Sequence, residues 1–261
     1  MHSHGHHHGH DVGERLYIHR HSVVHSLPPH VKICTVLFFI LVVVSTPITH
    51  WPAFVVFFVL VISSALAAKI SLITLSKRAL IEVPFIFFAI LMPFFGTGER
   101  FELGPFNLYR DGLLAGVAIV SKGTLGVLSA VILSTTTTAR EILRGLERLR
   151  LPTIMVQIAS FMLRYVNVIS DEMERMAIAR QSRGFNATGI KHWKVIATSA
   201  AALFIRSYER GERVHLAMLS RGFDGELPHT EAKSVAASAW LTALSIPALA
   251  LLASLFFRMK G

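Results

Sequence analysis

The sequence predicts an all-α membrane protein of about five transmembrane helices, with long cytoplasmic helices between the fourth and fifth spans. Three observations carry that expectation. Long apolar runs raise the hydrophobic share to 52% and mean hydropathy to +0.54, beyond what a water-exposed surface tolerates. A basic, helix-patterned block of about 80 residues interrupts those runs before the last of them. Within that block two 12-residue segments read almost the same at an offset of 38 residues, and an internal repeat is a structural unit used more than once.

Residues 1–30 form a polar, low-complexity tail holding ten of the 14 histidines: His2, His4, His6, His7, His8, His10, His19, His21, His25 and His30. Such composition does not bury a core, so the tail is expected to be disordered and cytoplasmic. Imidazoles in this density can buffer divalent metal without a defined site. Ser3, Gly5 and Gly9 interrupt the run, as fits a native tract better than an engineered tag. The tail has no signal-peptide apolar core.

Residues 31–138 read as a four-span bundle. Val31 to Ile48 is an apolar stretch just long enough to cross, and Trp51 to Ala68 follows after a turn bracketed by Pro47 and Pro52. Lys69, Lys77 and Arg78 then form a loop without an acid, and Ala79 to Phe95 is a third span that Pro84 and Pro93 are expected to kink. A polar loop from Gly96 to Asp111 precedes a fourth span, Leu113 to Ser134. Lys122 sits in mid-span, where an ionisable side chain is a functional candidate or an inward-facing structural one. Gly116, Gly123 and Gly126 would allow close helix approach there. Residues 234–261 hold the fifth span, Trp240 to Phe257. The positive-inside rule places the Lys69–Arg78 loop, the N-terminus and the basic block in the cytoplasm.

Residues 139–233 are the cytoplasmic region. From Arg140 to Arg221 there are 14 Lys or Arg against seven Asp or Glu. Aromatic–basic interleaving of a nucleic-acid module is missing, so anionic lipid or an acidic protein is the better partner. Ile154, Ile158, Phe161, Met162, Tyr165, Val168, Ile169, Met173 and Met176 recur at helical spacing. A helix over Thr153–Arg183 would be roughly 45 Å long. Lys191 to Arg221 reads as a second, with Leu203, Phe204 and Tyr208 on its apolar face.

Each helix ends in one copy of the repeat: Glu174-Arg175 to Ser182-Arg183-Gly184-Phe185, and Glu212-Arg213 to Ser220-Arg221-Gly222-Phe223. Glycine just past a helix end takes the left-handed conformation that satisfies the last carbonyls. The preceding Arg sits where the helix dipole favours a cation, and its planar fork suits a carboxylate. A solvated cap is the bland reading of one copy. Two copies in a membrane protein suggest two docking points for acidic partners.

Other chemistry has no support in the motifs. The chain lacks a phosphate loop, His-Glu-x-x-His, a Cys pair (Cys34 is the single cysteine) and a Gly-x-Ser-x-Gly elbow. The spans carry no Asp or Glu except Glu82 near an end, which leaves a proton-coupled carrier little to use. No catalytic residue, cofactor site or metal site is assigned.

The doubled motif resembles that of the transmembrane T-component of energy-coupling factor transporters, in the cobalt/nickel (CbiQ-type) branch. The family's two Ala-Arg-Gly motifs correspond to Ser182-Arg183-Gly184 and Ser220-Arg221-Gly222, with Ser for Ala in both. Leu143, Leu146, Leu149, Leu151, Pro152 and the Phe161-x-x-Arg164 pair also fit its run. The resemblance implies a non-catalytic coupling subunit in the cell membrane, importing cobalt or nickel. It implies two ATPase subunits, which would hold ATP and magnesium, and a separate membrane-embedded substrate-binding subunit. The six motif residues would dock the ATPases. The competing readings are a self-contained divalent-cation channel or carrier with the His tail as sensor, and a membrane anchor without a transport role.

Overall fold

A computed structural model of the chain describes residue 17 and residues 22–95, 100–103, 106–185, 192–225 and 237–260. Most of the histidine tail lies outside the described residues. The elements are α1 (Val23–Ser26), α2 (Pro29–Ser45), α3 (Trp51–Ala67), α4 (Leu72–Ala79), a 3-10 turn (Leu80–Glu82), α5 (Val83–Phe95), β1 (Arg100–Leu103), β2 (Phe106–Tyr109), α6 (Arg110–Thr136), α7 (Ala139–Arg148), α8 (Thr153–Ser182), α9 (Trp193–Leu219) and α10 (Ala237–Lys260). The chain divides into two compact units, one containing α8 and α9, the other containing the remaining elements. It is an all-α membrane fold with one short antiparallel hairpin, Arg100 pairing with Tyr109 and Leu103 with Phe106.

Among the described residues, four helical stretches are long and apolar enough to cross a membrane: Ile73–Phe95, Arg110–Thr136, Thr153–Ser182 and Ala237–Lys260. α2 and α3 have 17 residues each, at the short end of the roughly 17–25 that a span needs. The third span differs from expectation. Lys77 and Arg78 lie on α4, and a 3-10 turn joins α4 to α5. Pro84 falls in the first turn of α5, where its missing N–H leaves no bond unmade, and Pro93 is the proline inside the helix. The expected loop from Gly96 contains the hairpin, and α6 begins at Arg110 rather than Leu113. α8 also qualifies as a span because its charges concentrate in its second half, from Asp171 onward.

The bundle core is apolar. Phe57 on α3 is fully buried between Phe39 of α2 and Phe54, with edge-to-face centroid distances of 6.1 and 5.6 Å. Leu125, Leu128 and Ile132 of α6 and Ala250 of α10 join it. Outward, α5 exposes Phe85, Phe87, Phe88 and Phe95, a surface that only lipid or another protein can cover without penalty. α6 approaches α5 along Gly112 and Gly116. A Cβ on Gly116 would stand 2.5 Å from the Ala89 carbonyl oxygen. Gly126 has nothing within 4 Å, so it is not a close-approach point. Gly123 makes room for Glu82, which is 2% exposed and accepts a 3.0 Å bond from Thr124 Oγ1. Lys122 donates to the Val44 carbonyl at 2.8 Å, capping the last turn of α2.

Two further contacts tie α2 to the end of α6. Lys32 is 6% exposed, and its ammonium donates to the carbonyls of His25 (3.1 Å) and Thr136 (2.9 Å) and to Thr137 Oγ1 (3.3 Å). Thr138 then starts α7 with a capping box: Glu141 Oε2 accepts from its N–H at 2.9 Å, and Thr138 Oγ1 accepts from the Glu141 N–H at 3.3 Å. α7 crosses α2 at Gly145, where a Cβ would meet Ile33 Cδ1 at 2.8 Å and the His30 nitrogen at 3.0 Å.

Candidate functional site, the paired helix tips

α8 and α9 run antiparallel. Arg180 Nη1 donates to Ser199 Oγ at 2.8 Å, Arg206 Nη1 to Glu172 Oε1 at 2.7 Å, and Gln157 Nε2 to the Gly225 carbonyl at 3.1 Å. Glu172 also accepts from Arg175 Nη2 at 3.1 Å. These partners step down one helix as they step up the other, so the C-terminus of α8 lies beside the N-terminus of α9.

Both repeat copies form the same cap. At the end of α8 the Gly184 N–H donates to the Gln181 carbonyl (2.9 Å) and the Phe185 N–H to Arg180 (3.1 Å), with Gly184 at φ +77°. At the end of α9 the Gly222 N–H donates to Leu219 (3.0 Å) and the Phe223 N–H to Met218 (3.0 Å), with φ +82°. This is the paired six-to-one and five-to-two bonding of a Schellman motif. The two sets match atom for atom at the offset of the sequence repeat. A third such cap ends α3, where the Ile70 N–H donates to Ala65 at 3.0 Å and Lys69 takes the left-handed position at φ +57°.

The serines of the motif are exposed and bond back to their own helices. Ser182 Oγ donates to Ile178 O and Ser220 Oγ to Ala217 O, each at 3.0 Å. Arg183 and Arg221 are exposed, and no described residue forms an ion pair with either. Each tip therefore presents a guanidinium on a fixed turn. The two triplets that the sequence singles out, Ser182-Arg183-Gly184 and Ser220-Arg221-Gly222, are not brought together. They occupy opposite ends of the pair, separated by the length of α9, about 40 Å for 27 residues.

Beside the second tip lies an apolar cavity of about 400 Å³. Ile154, Ile158, Phe161 and Tyr165 line it from α8, with Val214, His215, Met218 and Phe223 opposite. The Phe161 and Tyr165 rings stack with centroids 6.5 Å apart. At the cavity's rim Ile154 is exposed, and beyond it Met155, Met162, Phe204 and Tyr208 are exposed too. This apolar face is the one the helical spacing predicts, and it has no cover within the unit. Sequence reasoning missed Gln157, which is 8% exposed and ties α8 to the chain just past the second tip. Its place inside an apolar stripe was the available signal.

Known proteins are similar to this chain in sequence. The chain is 25% identical over 250 residues to the energy-coupling factor transporter transmembrane protein EcfT of Bacillus subtilis, covering 90% of this chain and 94% of that one. It is 32% identical over 137 residues to an uncharacterised protein of Methanocaldococcus jannaschii, about half (51%) of each chain. A putative fused cobalt transport protein, CbiMQ, of Methanocorpusculum labreanum is 27% identical over 226 residues, 80% of this chain and 37% of that protein. The family described as CbiQ, cobalt transport protein, matches residues 20–231, a stretch that takes in α2 to α9 and both arginine tips. Fold, repeat and match agree, and the chain belongs to the CbiQ cobalt transport protein family.

Proposed function

We propose that this chain is the transmembrane coupling subunit of an ATP-driven importer of the energy-coupling factor type, carrying cobalt or nickel ions. It transmits the motion of two ATPase subunits to a separate, membrane-embedded substrate-binding subunit. The observation that carries this reading is the pair of identical caps, each holding an exposed guanidinium at one end of the α8–α9 pair. The names of the EcfT and cobalt transport relatives support it.

Arg183 and Arg221 each enter a groove on one ATPase and pair with carboxylates there, the fork geometry favouring Arg over Lys. Truncating one partner of such a buried pair costs about 2–5 kcal/mol, enough to detach or uncouple an ATPase. ATP and magnesium belong to the ATPase partners, and this chain hydrolyses nothing. The uncovered apolar face of α8 and α9 holds the substrate-binding subunit. The complex sits in the cell membrane with the N-terminus and both tips in the cytoplasm. When ATP closes the ATPase pair, the two tips are driven relative to each other and α8 and α9 move as levers against the substrate subunit.

The test is uptake of radiolabelled cobalt and nickel into cells expressing the chain alone, or with ATPase and substrate-binding partners, as wild type, Arg183→Glu, Arg221→Glu and the double variant. Uptake that needs the partners and is lost on charge reversal is expected. Flux through the chain alone would favour the channel or carrier. ATPase binding with uptake unaffected by either reversal would favour the anchor.

A further inference from the structure

We propose that Lys32 is a positioning residue for coupling: it clamps the turn between α6 and α7 to α2, so that the helix leading out of the bundle moves with the bundle rather than against it. The inference rests on the coupling reading above. Lys32 lies in the first turn of an apolar helix. Its ammonium is buried and all three of its donors are used. Burying a charge is unfavourable unless it is fully hydrogen-bonded, so this one stands where its geometry matters.

The acceptors explain the geometry. Thr136 is the last residue of α6 and Thr137 its cap, while His25 lies in the last turn of α1. Carbonyls at helix C-termini lack intrahelical partners and carry the negative end of the dipole. One ammonium therefore completes two helix ends and fastens both to α2. Thr135, Thr136 and Thr137 are at most 2% exposed. The next residue, Thr138, opens α7 with its capping box. Gly145 then brings α7 onto the backbone of α2 at Pro29 and His30. The turn is held at its corner by Lys32 and along its far arm by Gly145, both against the same helix.

The test uses the full chain assembled with its ATPase and substrate-binding partners. Lys32→Met keeps the length and apolarity of the stem and removes every donor. Thr137→Val removes one acceptor and leaves the ammonium with two bonds. Three quantities are read: amide hydrogen exchange across residues 137–148, affinity for the ATPases, and radiolabelled cobalt and nickel taken up per ATP hydrolysed. Lys32→Met is expected to speed exchange about tenfold or more, leave ATPase affinity unchanged and cut uptake per ATP, with Thr137→Val showing the same pattern at smaller size. Lys32→Arg is expected to recover part of the uptake.

Unchanged exchange in Lys32→Met would overturn the clamp. Faster exchange with normal uptake per ATP would overturn the positioning role and leave the coupling reading standing. A wild-type complex that takes up metal without ATP would instead overturn the coupling reading, and with it any role in coupling. If Lys32→Met does not fold, Thr137→Val decides: unchanged exchange or unchanged uptake per ATP there counts against the proposal.

Discussion

Gly222→Ala isolates the conformational part of the tip from everything else. A Cβ at Gly222 meets nothing within 4 Å, so sterics outside the residue contribute no penalty. What remains is the backbone, held at φ +82°. An L-residue in the left-handed region costs roughly 1–2 kcal/mol, and replacing Gly lowers unfolded-chain entropy by an amount worth about 0.4–1 kcal/mol. The net is about 1 kcal/mol against the cap, or roughly fivefold in its opening equilibrium. The amide to watch is Phe223 N–H, bonded to the Met218 carbonyl at 3.0 Å, and its exchange should quicken by that factor. Gly222→Asn should stay near wild type, since Asn tolerates this region. Gly211 supplies the opposite sign. It also has open space around it but lies inside α9 without a positive φ, so Gly211→Ala should stabilise the helix by about 1 kcal/mol. Lys69 shows that a side chain can be held in this conformation, but there Ala68 is 0% and Ile70 4% exposed, and burial enforces it. The tips have no such enclosure. Unchanged Phe223 exchange in Gly222→Ala would refute the assignment of the cap to backbone conformation.

Other expectations follow from single contacts. Gly145→Ala should lower the denaturation midpoint by an amount equivalent to about 1–3 kcal/mol, because the atoms a Cβ would meet include the backbone of Pro29 and His30; a midpoint equal to wild type would show that α7 can slide. Gly116→Ala should destabilise through the Ala89 carbonyl while Gly126→Ala, with nothing within 4 Å, is tolerated, and equal midpoints for the two would contradict the packing described. Lys122→Met should lose the 2.8 Å cap on Val44 O, worth about 1 kcal/mol, and retain cobalt and nickel uptake in the assembled complex; abolished uptake with the complex intact would return Lys122 to the transport path.

Much of the fold and the tips could be read from the chain itself because the forces behind them are local. Helical spacing from Ile154 to Met176 and a glycine after each Ser-Arg pair are short-range statements, and α8, α9 and both caps follow them. The unread parts depend on distant residues. Lys32 looks like an isolated cation in an apolar helix until Thr136 and Thr137, more than 100 residues away, arrive at its ammonium. Gly145 looks like a weak point in α7 until α2 crosses it. The 3-10 turn at Leu80–Glu82 serves a carboxylate that needs Thr124. Both tips were visible as motifs, yet their separation was not, because the antiparallel course of α9 shows only in contacts such as Arg206–Glu172 and Arg180–Ser199, pairs without a sequence signature.

That separation has a mechanical consequence. Forces applied at Arg183 and Arg221 act on opposite ends of an antiparallel pair, so equal pushes in one direction only translate it, while opposed pushes form a couple with an arm of about 40 Å. The pair is also unevenly stitched. Its charged cross-links, at Glu172 and Arg180, lie in the half nearer the first tip, and the half nearer the second holds the open apolar cavity and the neutral Gln157–Gly225 bond. A torque on such an object is carried by charged side-chain pairs near the first tip and by the single neutral Gln157–Gly225 bond near the second, so the two tips, alike in cap geometry, stand on differently cross-linked halves.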